Sequence, residues 1–135
     1  MNRLSVVVAL ALSVIVMTAC SSQDSRGEAS YQAVYETRSS QGDISFDVTP
    51  RVTEKGQLVV DLSANTHTGD LADLDLTALV SLLADDKTYR PVEATALEGH
   101  HSVASVTFDV DSLPSRFTVT IAATRGMEEL RFEWP

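Results

Sequence analysis

The chain has 135 residues and carries 10 Lys and Arg against 19 Asp and Glu, a formal net charge of −9. That balance excludes a nucleic-acid-binding surface, which needs cations to replace the counterions of the phosphates, and it excludes an electrostatic grip on anionic lipid. A single cysteine, Cys20, excludes an internal disulfide, so any domain must stand on packing alone.

Asn2 and Arg3 precede an uncharged apolar run from Leu4 to Met17, which leads into Thr18-Ala19-Cys20. The run has 14 residues, fewer than the ~20 that a spanning helix needs. A basic start, a short apolar core and a small residue at 19 read as an export signal over residues 1–19, outside the fold. A lone thiol in an oxidising compartment then needs an explanation. Met17-Thr18-Ala19-Cys20 resembles the lipobox of bacterial lipoproteins, with Met17 where Leu is commoner. The resemblance implies cleavage before Cys20, lipid on its sulfur and on its new amino group, and attachment to a membrane of the cell envelope. Ser21 after the cysteine implies the outer membrane in a Gram-negative host. Each buried CH₂ contributes ~0.8 kcal/mol, so several acyl chains hold firmly where one does not. Residues 20–30 contain no aliphatic side chain larger than alanine and read as a solvated tether. Without residues 1–19 the net charge is −10, because only Arg3 is removed.

The rest, residues 31–135, is long enough for one domain with one core. Alternation of apolar and polar residues dominates it. Tyr31, Ala33 and Tyr35 suggest a weak first strand. Ile44, Phe46 and Val48 form one apolar face, and Leu58, Val60, Leu62 and Ala64 form the next. Leu71 to Leu83 is ambiguous and reads as a turn over 68–75, with room for a short helix near 71–76, then a strand over 77–84. Asp85-Asp86-Lys87 predicts a hairpin turn into a strand over 88–97, where Pro91 points to an edge or a bulge. Further strands follow over 106–110, 117–123 and 130–134. One greasy and one wet face per strand, with turn residues between, predicts an all-β, single-domain antiparallel sandwich of immunoglobulin-like kind. The edge near Pro91 and the weak first strand would support pairing with another chain.

Three histidines are present, His67, His100 and His101. Following strand direction up and down the sandwich, all three fall at one end, together with Asp70, Asp73, Asp75 and the Arg125-Gly126 turn. Imidazole and carboxylate suit Zn²⁺ and Cu²⁺, so His67, His100 and His101, assisted by Asp70 or Asp75, are the candidate ligands for copper or zinc. The competing reading is that these side chains satisfy local backbone groups. The chain has no HxH, HExxH or CxxC spacing, no GxSxG elbow and no SxxK, so no catalytic residue is assigned and the chain reads as a non-enzyme. Asp85-Asp86 reads as a solvated turn. The aromatic ending, Leu130-Arg131-Phe132-Glu133-Trp134, reads as a core strand first and a docking strand second.

Asn65-Thr66-His67-Thr68, Asp73-Leu74-Asp75-Leu76-Thr77, Tyr89-Arg90-Pro91, Gly99-His100-His101 and Glu129-Leu130-Arg131-Phe132-Glu133-Trp134 together resemble a group of small exported prokaryotic proteins of uncharacterised role. The similarity spans residues 57–134, and Ser102-Val103-Ala104 departs from the Arg-Ser-Gly expected after the histidine pair. The resemblance implies that the His67 loop and the Gly-His-His loop belong to one shared feature. The expected function is that of a lipid-anchored envelope protein, a binding or structural module with an envelope protein as partner. The alternative is metal binding at the histidine end.

Overall fold

The computed structural model describes residues 31–135; the expected export signal, Cys20 and the expected tether lie outside the described residues. Ten strands build two antiparallel sheets, as the alternation predicts. The larger sheet contains β1 (Tyr31–Val34), β2 (Arg38–Ser39), β3 (Ile44–Thr53), β4 (Leu58–Thr66), β8 (His101–Phe108) and β7 (Glu93–Ala94). Its order is β1-β3-β4-β8-β7, with β2 also pairing with β3. The smaller sheet runs β10 (Leu130–Trp134), β9 (Phe117–Ile121), β5 (Val80–Ala84), β6 (Lys87–Tyr89).

The inward phase of the six longer strands is largely buried. Phe46, Val48 and Val52 of β3, Leu58, Val60, Leu62 and Ala64 of β4, and Ala104, Val106 and Phe108 of β8 face Val80, Leu82, Phe117, Val119, Ile121, Phe132 and Trp134 across the layers. Tyr35 meets the Phe117 ring edge-on at 5.0 Å, and Phe117 stacks on Trp134 at 5.2 Å. Trp134 donates its indole N–H to the Glu36 carbonyl at 2.8 Å, which gives its one polar atom a partner inside the seam between the sheets. Among the described residues the buried side chains of both sheets form one core cluster.

Three departures from the sequence reading have physical causes. The strand expected over 88–97 is two strands in different sheets, β6 and β7, because Pro91 has no N–H for a ladder and the chain crosses between layers there. The strand expected from residue 77 begins at Val80, because Asp75 caps a one-turn helix α1 (Leu76–Leu79). The strand expected from 106 begins at His101, so this histidine is a strand residue and not part of the loop. A fourth feature, the break between β1 and β2, follows from Pro50. Its carbonyl accepts from Tyr35 N at 2.9 Å on that side, its nitrogen has nothing to donate there, and the edge chain peels away until Arg38.

Candidate functional site

The two ends of the sandwich are built differently. At one end, the loop pole, β3 starts at Ile44, β4 stops at Thr66 and β8 starts beside them, His101 pairing with Asn65. The connections 67–79, 98–100 and 122–129 meet the 40–43 loop there. Ala122 N donates to Leu79 O at 2.9 Å, and a cavity of about 270 Å³ is lined by Gln41 to Ile44 and Gly126 to Leu130. At the opposite hairpin pole are the β3–β4 turn, the Asp85-Asp86 turn and the 109–116 connection.

The long loop of the loop pole is tied down by hydrogen bonds to its own chain. Thr66, the one buried polar side chain of the described core, donates to Thr68 O at 2.6 Å and accepts from Thr68 N at 3.2 Å. His67 N donates to Asp43 O at 3.3 Å. Leu71 is 1% exposed and opens a 3-10 turn (Leu71–Asp73), and its N–H reaches Gly99 O at 2.9 Å. Asp70 caps that turn through Ala72 N at 2.9 Å and also accepts from Gly99 N at 2.8 Å, so one carboxylate oxygen joins two loops. Gly99 has φ +65°, a backbone conformation that favours glycine. Ala72 N–H, then Gly99 N–H, then the nearby His100 hold the Asp70 carboxyl below its ordinary range. Asp75 accepts from Thr77 Oγ1 and from the Thr77 and Ala78 N–H groups at 3.0 and 3.4 Å, and Thr77 does most to hold its carboxyl low. Asp73, also in the 3-10 turn, is exposed.

The three histidines share this pole, as strand direction predicts, yet they do not share one point. His100 lies by Asp70. His101 points to the outer face of the larger sheet, where Nδ1 is 2.6 Å from Asn65 Oδ1. The His67 backbone sits against the 40–43 loop. Among the described residues no three His, Cys, Asp or Glu side chains come together to hold a metal ion. The two expected carboxylate ligands, Asp70 and Asp75, are engaged as helix caps.

Sequence reasoning missed a polar cluster on the outer face of the larger sheet. Arg51 of β3 and Asp61 of β4 form an ion pair, both half-buried, and Ser105 of β8 donates to Asp61 at 2.7 Å. Tyr31 covers the Arg51 guanidinium at 4.0 Å, and Arg51 Nε is buried without a hydrogen-bond partner among the described residues. Beside this cluster is an open depression of about 360 Å³, bordered by Asp47, Thr49, Ser63, Thr95 and Val103, the last 77% exposed. Arg51 and Asp61 each fall in the polar phase of their strands. Only the β3–β4 register, which places Thr49 opposite Asp61, brings them within reach. No known family model, curated protein or solved structure matches this chain.

Proposed function

We propose that the chain is a lipid-anchored module of the cell envelope, without catalytic activity, in which an immunoglobulin-like sandwich is held to a membrane through lipid on Cys20 and presents its loop pole to an envelope protein partner. The observation that carries the reading beyond the signal sequence is the place where the tether meets the domain. Tyr31 pairs with Thr53, and Gln32 Nε2 donates to Glu54 O at 3.2 Å, both at the hairpin pole. β3 runs ten residues from there to the loop pole, about 30 Å at the usual strand rise. The tether thus joins one end of the sandwich, and the long loops with His67 and His100 are the end left free of it. Loops on a rigid scaffold are a usual place for recognition. The proposal does not extend to copper or zinc, since the carboxylates of Asp70 and Asp75 already serve backbone N–H groups.

The test is membrane fractionation of the full chain beside a Cys20→Ala variant. Recovery of the wild type with membranes, and of the variant in the soluble fraction or as uncleaved precursor, supports the anchor. An identical distribution of the two forms, both soluble, contradicts it.

A further inference from the structure

Four strands other than β10 form the edges of the two sheets, and each is blunted. β1 has a bulge between Tyr31 and Ala33, β2 and β7 are two residues long, and β6 is three residues long with Lys87 on it. Short, bulged or lysine-bearing edges resist pairing with other chains. β10 is longer, at five residues, has no bulge and no lysine, and its two exposed charges, Arg131 and Glu133, are of opposite sign. All five of its residues pair in unbroken register with β9, from Leu130↔Ile121 to Trp134↔Phe117, and among the described residues its other side is a regular open edge. A groove of about 530 Å³ runs along that side, between Arg131 to Glu133 and the segment Thr37 to Ser39.

The side chains of β10 are complementary to themselves. Phe132 and Trp134 point into the core, 5% and 4% exposed, while Arg131 and Glu133 are exposed on the outer face. In an antiparallel pair of two β10 strands centred on Phe132, Arg131 of each copy stands opposite Glu133 of the other, and Leu130 stands opposite Trp134. Unlike charges directly opposite stabilise a strand pair, and like charges destabilise it. Moving the centre to Arg131 or to Glu133 places like charges face to face. Moving it by half a step sets core residues opposite surface residues, against the pleat. One register therefore satisfies both charge and burial. Among the described residues Arg131 has only a long, half-exposed ion pair, to Glu129 at 3.9 Å, and can exchange it.

We propose that β10 is a self-recognition edge, through which two copies of this chain join their four-stranded sheets into one continuous sheet about a two-fold axis at Phe132. The interface is isologous, as two-fold pairing requires. Antiparallel pairing sends the two tethers out at opposite ends of the dimer.

The test is sedimentation equilibrium of residues 21–135, which contain the whole described core, for the wild type, Arg131→Glu, Glu133→Arg and an equimolar mixture of the two variants. Both positions are exposed, and circular dichroism of each variant verifies the fold. The wild type is expected to dimerise, and each variant to self-associate about tenfold more weakly or worse. The mixture is expected to regain dimers, because a strand with two acidic side chains on its outer face then lies against a strand with two basic ones. A monomeric wild type, or dimers unaffected by either charge reversal, would overturn the proposal. Failure here leaves the lipid anchor untouched, because anchoring depends on Cys20 alone.

Discussion

The two poles of the sandwich are closed by different physics. At the hairpin pole the connection from β5 to β6 turns within two residues, and there backbone conformation does the closing. Asp85 and Asp86 both take positive φ, 49° and 60°, between the paired residues Ala84 and Lys87. Beyond them an exposed ion pair, Lys87 to Asp111 at 2.6 Å with Tyr89 OH at 3.2 Å from the same carboxylate, fastens the 109–116 connection. At the loop pole the chain takes thirteen residues, 67–79, to pass from β4 to β5. Buried Leu71, Leu74 and Leu76 pull that loop onto the core, and two aspartate caps hold its short helices. A tight turn leaves little surface to vary, whereas a long loop pinned from beneath presents a stable shape that sequence change can tune.

If apolar anchoring holds the loop pole, Leu71→Ala should cost about 3 kcal/mol, since its side chain is 1% exposed and truncation leaves a cavity. Chemical denaturation measures this. At the hairpin pole the comparable lesion is conformational. Asp86→Val puts a branched side chain at φ 60° and should cost about 1–2 kcal/mol, while Asp86→Gly should be tolerated. Equal costs for Leu71→Ala and Asp86→Val would erase the contrast.

Titration separates the poles in another way. Asp111 chiefly, through its hydrogen bond, raises the Lys87 pKa. A raised pKa means that the contribution is whole below the ordinary lysine value and is lost as pH rises through the folded value. Asp70, Asp75 and Asp111 have lowered values, Asp111 mainly through Lys87. Their contributions are whole above the ordinary carboxylate value and are lost as pH falls through the folded values. Alkali should therefore loosen the hairpin pole alone, and acid should loosen both. Amide hydrogen exchange near Lys87 and near Leu71, followed in each direction from neutral pH, reads the difference. Early loss of Leu71 protection in alkali would contradict it.

The smallest expected effect concerns metal. With His67, His100 and His101 on separate parts of the loop pole, Cu²⁺ or Zn²⁺ titration should give only weak binding, little changed in a His67→Ala, His100→Ala, His101→Ala variant. Tight one-to-one binding lost in that variant would make the loop pole a metal centre.

Much of this architecture is legible in the residues. Alternation in 44–48, 58–64, 117–121 and 130–134 marks inward faces that are buried, and strand direction alone gathers the histidines at one end. What alternation does not carry is which strand pairs with which, and in what register. The Arg51–Asp61–Ser105 cluster depends on that register, since its members are far apart in sequence and share only the polar phase. The Pro91 crossing is readable as a break but not as a change of sheet, because a missing N–H says where a ladder stops and not where the chain goes next. The aspartate caps are readable in kind, as the local use of carboxylates by backbone N–H groups. That use competes with ligand duty at Asp70 and Asp75.

The most direct test of the anchored module is the intact mass of the mature amino-terminal peptide from membrane-purified protein. The account predicts a peptide that begins at Cys20 and carries the added mass of lipid on its sulfur and on its amino group. A peptide that begins at Met1, or one that begins at Cys20 with a free thiol, would contradict it.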